Sequence, residues 1–389
     1  MKRIIKSIGK NVAVFIYRVM YKVFPIQDNV IVFSASTGRN YTGNCRYIYE
    51  CMVDKGLDKK YKCVWFFNDT NIKLPGNATI VANARLKYLY YMAIAKTWVF
   101  DCRQPGFLKK KDKVNYIQTW HGTPLKKLAL DMDDVFMGNG ENIEQYKENF
   151  KKNTSTWDYL ISQNPFSTET FRRCFDFKGN MLEIGYPRND MLTNENDADS
   201  IRALKKKFRL PFDKKIILYA PTWRDDEYDK NGEYKFSPKL DFTLLAENLK
   251  DEYVMIVKYH YLVEDCIDWS LYKGFIYHFD DDITQMYLIS DILITDYSST
   301  MFDYSVLKRP MLFYCYDLDK YKNELRGFYF DFQKDAPGPI SKTTKQLLCD
   351  IKDYKREEYE ERYQNFWEKY NPWDDGNSSW HVVELIESL

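Results

Sequence analysis

Short apolar runs rich in β-branched and aromatic residues alternate with helix-like segments along nearly the whole chain, and few folds accommodate that pattern. Residues 29–36 (NVIVFSAS), 61–68 (YKCVWFFN), 78–82, 97–102, 114–120, 159–163 and 181–185 read as strands. Segments 47–55, 86–95, 141–151 and 165–174 read as the helices between them. A second alternating set follows, with strands at 215–219, 254–258, 275–279, 291–295 and 311–314. Its helices are expected at 242–249, 283–289, 354–370 and 378–386, with an exposed charged loop at 225–239. Strands that alternate with helices form parallel, doubly wound sheets. The polar interval 192–200 (LTNENDADS) marks the boundary, giving domains at 25–195 and 196–389. A chain of 389 residues is long enough for both.

Residues 1–24 stand apart. They carry Lys2, Arg3, Lys6, Lys10, Arg18 and Lys22 and no acid, and Pro25 closes the segment. Ile5, Ile8, Val12, Phe15, Val19 and Val23 recur at helical spacing. A basic amphipathic helix of this kind suits the surface of an anionic membrane. The competing reading is an ordinary helix packed on its domain with a solvated basic side. No run of 18 apolar residues exists, so no helix is expected to span a bilayer, and no small-residue cleavage site follows the segment. The eight Cys form no C-x-x-C pair and read as scattered buried thiols in a reducing cytoplasm. A net charge of +1 argues against a nucleic-acid binder.

The chemistry collects at strand ends. In VNYIQTWHGTPLK (114–126), a strand runs into Trp120 and is broken by His121 and Gly122. Thr123 can cap a helix with Pro124 in its first turn, which would set an imidazole beside an anion-binding helix N-terminus. Arg188 ends the first half and could reach across a cleft. In the second half, Arg224 follows a Pro-Thr-Trp turn, and Lys258 and His260 point the same way from an extended chain. Ser298, Ser299 and Thr300 lie between a strand and a helix, flanked by Asp296 and Asp303. His278 and His381 take structural readings. This set suits a phosphate-bearing ligand and offers no metal cage. A histidine could accept a hydroxyl proton while cationic groups neutralise a leaving phosphate. The residues alone do not separate attack on phosphorus from attack on a sugar carbon.

TWHGTPLK (119–126), GYPRND (185–190), APTWRD (220–225), KYHY (258–261) and TDYSSTMFDYSVLKRP (295–310) together resemble the CDP-glycerol glycerophosphotransferases of Gram-positive wall teichoic acid synthesis. The resemblance runs from about residue 29 to the C-terminus. It implies a GT-B-like fold, two Rossmann-like domains facing across a cleft, and transfer of glycerol phosphate from CDP-glycerol to a hydroxyl with release of CMP. The family's base corresponds to His121. Its donor contacts correspond to Trp120, Gly122, Thr123, Pro124, Arg188, Thr222, Trp223, Lys258, Tyr259, His260, Ser298, Ser299 and Asp303, with Arg224 beside them. His260, Lys258 and Arg188 would stabilise the diphosphate and the departing CMP. Lys258 stands where the family more often has Arg, which keeps the charge and loses the planar fork. The implied acceptor is an undecaprenyl-diphosphate-linked saccharide at the cytoplasmic face of the membrane. No cofactor is expected to be required; a loosely held Mg²⁺ and a homo-oligomer are left open. The chain lacks the large N-terminal extension of the long polymerases and so looks more like the short members that add a first or second glycerol phosphate. Ribitol phosphate transfer, a GT-B glycosyltransferase and a non-enzymatic nucleotide-sensing scaffold are the alternatives.

Overall fold

The computed structural model describes residues 2–133, 142–222, 239–258, 267–318 and 327–389, with the backbone alone for 2–10. The chain forms two compact units. The first comprises Met1–His121, Leu128–Asp190 and Trp373–Leu389; the second comprises Gly122–Lys127 and Met191–Pro372.

The first unit is built on seven parallel strands: β1 (Gln27–Ser34), β2 (Lys62–Phe67), β3 (Thr79–Ala82), β4 (Ala95–Phe100), β5 (Asn115–Gln118), β6 (Tyr159–Ser162) and β7 (Asn180–Glu183). Their order is β3-β2-β1-β4-β5-β6-β7. Alternate side chains serve opposite faces. Val30 and Val32 of β1 join Val64, Phe66, Trp98 and Phe100 in one apolar cluster. Ile31 and Phe33 join Cys63, Trp65 and Val99 in the other. Burial on both faces explains why these strands read as continuous apolar runs. The strand order reverses between β1 and β4, the position at which open α/β sheets leave a ligand crevice beyond the strand ends.

The second unit repeats the plan with β8 (Lys215–Tyr219), β9 (Tyr253–Val257), β10 (Ile276–Tyr277), β11 (Ile292–Thr295), β12 (Met311–Tyr314) and β13 (Ile340–Ser341). The order is β10-β9-β8-β11-β12-β13, all parallel, with its switch point between β8 and β11.

The division of the chain departs from the expected one at two places: Gly122–Lys127 joins the second unit and Trp373–Leu389 the first. Within the expected boundary interval 192–200, Asp197 caps a helix over Ala198–Lys207, accepting from the amides of Asp199 and Ser200. None of its residues is fully buried, though Ile201 and Leu204 on it and Phe208 just beyond it keep helical spacing. The C-terminal segment also leaves the second unit. The helix Ser378–Ser388 sends Val382, Val383 and Ile386 into the first unit's core. Its N-terminus is held by the buried carboxylate of Asp190, which accepts from the Ser378 and Ser379 amides at 2.9 and 2.7 Å.

The N-terminal helix spans Lys2–Val23. Tyr17 is buried and donates its hydroxyl to the Lys109 carbonyl at 2.6 Å, while Ala13, Ile16, Met20 and Tyr21 pack against the first core cluster. Val12, Phe15, Val19 and Val23 lie outside that contact, 51, 68, 45 and 66% exposed. Among the described residues, no helix is long and apolar enough to cross a membrane.

Candidate active site

In the first unit the site is made by the ends of β4 and β5. After β5 the Thr119 amide still bonds the Phe100 carbonyl, but Trp120 turns the chain with φ at +51°. That conformation is unfavourable for a bulky residue and is held by its surroundings. The Trp120 amide donates to Gln118 Oε1 at 3.0 Å, and its carbonyl accepts from Thr119 Oγ1 at 3.0 Å and Asn44 Nδ2 at 3.3 Å. Asn44 also reaches the Thr119 carbonyl at 3.2 Å. Trp120 is 8% exposed, with its ring among Trp157, Phe171 and Phe175. His121 is exposed and stacks on that ring at 4.4 Å and 24°. Trp120 therefore backs the imidazole.

Two further contacts fix His121. Its Nδ1 lies 2.9 Å from the Asp101 carbonyl oxygen. Its own carbonyl accepts from Arg188 Nη1 at 3.0 Å. The Arg188 amide donates to Asn44 Oδ1 at 3.3 Å, so Asn44 joins the Trp120 turn to the Pro187–Asn189 turn. Arg188 is buried, and its guanidinium bonds the turn that carries His121.

The helix expected from Thr123 and Pro124 does not form. Gly122, Thr123 and Pro124 are buried, and the segment continues extended. The Leu125 carbonyl accepts from the Tyr329 amide at 3.0 Å, and the Lys127 amide donates to the Gly327 carbonyl at 2.9 Å. Lys126 pairs with Phe328 as an antiparallel bridge. This local ladder satisfies backbone groups that a helix would otherwise satisfy. The helix-terminus anion site beside His121 is thereby withdrawn.

In the second unit the residues gather at the ends of β8, β9 and β11. The Thr222 amide donates to Asp296 Oδ1 at 2.8 Å, and Thr295 Oγ1 donates to the Ala220 carbonyl at 2.7 Å. These bonds tie the two loops at the switch point. Lys258 Nζ donates to the carbonyls of Phe279 and Asp281 at 2.6 and 3.2 Å. Ser298 Oγ lies 2.7 Å from Thr300 Oγ1 and accepts from the Thr300 amide at 3.3 Å. Ser299 precedes the short helix Thr300–Tyr304, in which Asp303 is buried. Trp223, Arg224, Tyr259 and His260 lie outside the described residues, as does most of the loop expected at 225–239.

His278 follows β10 with its ring 4.1 Å from that of Trp269, and burial lowers its pKa. His381 lies in the C-terminal helix, 3.6 Å from Glu384. Neither stands at a switch point. Sequence reading passed over Asn44 and Asp101. Asp101 directly follows a strand at the switch point, and that position alone could have marked it.

The chain matches the family model described as CDP-Glycerol:Poly(glycerophosphate) glycerophosphotransferase over residues 15–388. It is 44% identical to a teichoic acid poly(glycerol phosphate) polymerase of Bacillus spizizenii, over 97% of each chain. It is 41% identical to a teichoic acid glycerol-phosphate transferase of Staphylococcus aureus, over 92% of each. Two other curated relatives are longer, and the chain spans about half of their length. Among solved structures, a variant of the wall teichoic acid polymerase TagF soaked with CDPG is 40% identical with a TM-score of 0.92, over 97% of this chain and 93% of that one.

Proposed function

The chain belongs to the CDP-glycerol:poly(glycerophosphate) glycerophosphotransferase family, and on that premise we propose that it transfers glycerol phosphate from CDP-glycerol to a hydroxyl of a lipid-linked teichoic acid precursor, with His121 as general base. The observation that carries the catalytic assignment is the exposed His121 ring, buttressed by Trp120 and anchored at both Nδ1 and its carbonyl. A fixed imidazole can take the acceptor's hydroxyl proton as the new oxygen–phosphorus bond forms. The bond from that phosphorus to the bridging oxygen breaks, and CMP leaves with the electron pair. Positive charge and hydrogen-bond donors offset the growing charge on the leaving phosphate. Lys258 and His260 are assigned to that role, Ser298 and Ser299 to a donor phosphate, and Asp303 to a donor hydroxyl. Thr222, Trp223, Arg224 and Tyr259 complete the donor set. Arg188 lends its charge beside His121 and holds the turn that presents it.

The polyol is glycerol, as in the names of the relatives matched along nearly their whole length. Length does not separate priming from polymerisation, because the Bacillus spizizenii polymerase is spanned almost end to end. The test is turnover on an undecaprenyl-diphosphate-linked saccharide with CDP-glycerol, CDP-ribitol and a nucleotide sugar in parallel. The reading expects glycerol phosphate addition from CDP-glycerol alone. A product formed only from the nucleotide sugar would overturn it.

Such an acceptor lies at a membrane, and the N-terminal helix supports docking there. Its exposed stripe of Val12, Phe15, Val19 and Val23 lies on the side away from the core, in a segment carrying six basic residues and no acid. Apolar side chains can enter the headgroup boundary while the basic residues meet anionic lipid. The proposed location is the cytoplasmic face of the membrane, with peripheral attachment.

A further inference from the structure

We propose that Asp101 is a positioning residue that decides which nitrogen of His121 accepts the proton; the inference rests on His121 acting as the base. A carbonyl oxygen can only accept a hydrogen bond. The 2.9 Å contact between His121 Nδ1 and the Asp101 carbonyl therefore requires the hydrogen on Nδ1. Neutral imidazole carries one hydrogen, so Nε2 holds the lone pair. When Nε2 takes the acceptor proton, Nδ1 keeps its hydrogen bond and the ring does not have to turn.

The carbonyl can do this only if it is held still, and the Asp101 side chain holds it. Asp101 follows the last residue of β4 and is 5% exposed. Its carboxylate accepts from the Ser36 amide, with Oδ1 at 3.0 Å and Oδ2 at 2.9 Å. Ser36 begins the turn after β1, where Ser36, Thr37 and Gly38 all have positive φ, at 49, 58 and 80°. That turn is itself pinned: the Gly38 amide donates to the Ala35 carbonyl at 2.8 Å, and the Asn68 amide to the Gly38 carbonyl at 2.7 Å. The Asp101 backbone is thus fixed from its own strand and, through its side chain, from the neighbouring loop. Both lie at the switch point of the first sheet.

The test compares the full-length protein with Asp101→Asn and Asp101→Ala. The asparagine amide oxygen can still accept from Ser36, so Asp101→Asn is expected to keep kcat within a few fold of wild type. Asp101→Ala frees the loop and the carbonyl together. Misplacement of a reacting group on the ångström scale lowers rate by up to about 10²-fold, and the loss should fall on kcat, with KM for CDP-glycerol within a few fold. A spectroscopic readout is independent of turnover. The chain has four histidines, and ¹⁵N-histidine spectra assigned with His121→Ala should show Nδ1 of His121 carrying the hydrogen in wild type and in Asp101→Asn. In Asp101→Ala that tautomer should give way to a mixture. A hydrogen on Nε2 in wild type overturns the proposal, as does an unchanged tautomer in Asp101→Ala. Asp101→Asn failing as badly as Asp101→Ala overturns it too, because the charge would then matter more than the hydrogen bond. If Asp101→Ala does not fold, the wild-type tautomer and the Asp101→Asn rate decide. Full turnover by His121→Ala would instead overturn the base assignment and leave the tautomer measurement intact.

Discussion

Replacing Phe15 and Val19 together by glutamate should detach the protein from anionic vesicles without unfolding it. Both side chains lie on the exposed side of the N-terminal helix, 68 and 45% accessible, while Tyr17 between them is buried and hydrogen-bonded to Lys109. Full transfer of a Val or Phe side chain from water contributes about 1.5–3 kcal/mol. Scaled to the exposed fractions, the pair supplies about 2 kcal/mol of binding. Two added carboxylates offset two of the basic charges, at roughly 1 kcal/mol each near an anionic surface. The combined loss of about 4 kcal/mol corresponds to roughly 10³-fold weaker partitioning. Folding stability should move by no more than about 0.5 kcal/mol, as for other surface substitutions. Tyr17→Ala is the contrasting control: it opens the core and should lower stability by about 3 kcal/mol or more. Flotation with anionic and with zwitterionic vesicles, at low and high salt, measures the effect. Wild-type binding should weaken as salt rises and retain an apolar remainder. Flotation of the double variant equal to wild type would refute the reasoning and leave the stripe as an ordinary exposed surface. Deleting residues 1–24 would be a poorer test, because it also strips Tyr17, Met20 and Tyr21 from the core they cover.

Four further outcomes are expected. His121→Ala should lower kcat by about 10²–10⁴-fold and leave CDP-glycerol binding within a few fold, as read by single-turnover kinetics and donor titration. Arg188→Ala removes a charged donor from the His121 carbonyl; such bonds contribute about 1.5–3 kcal/mol, so kcat/KM should fall by roughly 10–10²-fold, and an unchanged value would separate Arg188 from the site. Asp190→Ala leaves the Ser378 and Ser379 amides without their carboxylate, and urea denaturation should show a loss of about 1–3 kcal/mol, which an unchanged midpoint would contradict. Turnover should persist after exhaustive chelation with EDTA, since cationic side chains are assigned the charge neutralisation; loss restored by Mg²⁺ would reassign that role to a metal ion.

The sheets were legible because their central strands are buried on both faces and read as unbroken apolar runs, as at Val30–Phe33 and Val254–Val257. The turn that carries His121 was legible because a strand broken by His-Gly is a local feature. What lay hidden depends on partners distant in sequence. Thr123 and Pro124 carry good helix-start chemistry, yet their segment is claimed by Gly327–Tyr329, about 200 residues onward. Asp190 resembles any acidic residue in a turn until Ser378 and Ser379 come to it from the C-terminus. Asn44 and Asp101 escaped because their roles are to hold backbone carbonyls and amides, which no side-chain pattern records. The stripe of Val12, Phe15, Val19 and Val23 was legible as a face, and the structure adds that this face is the one the core leaves uncovered.

Attack on phosphorus is the central chemical claim, and the two products of one reaction test it most directly. Full-length protein is given CDP-glycerol and a lipid-linked saccharide; the nucleotide is identified by chromatography and the acceptor product by mass spectrometry, with His121→Ala alongside. The account predicts CMP in equal amount to added glycerol phosphate, a phosphodiester in the product, and little of either from the variant. Release of CDP with glycerol alone added to the acceptor would place the attack on carbon and contradict it.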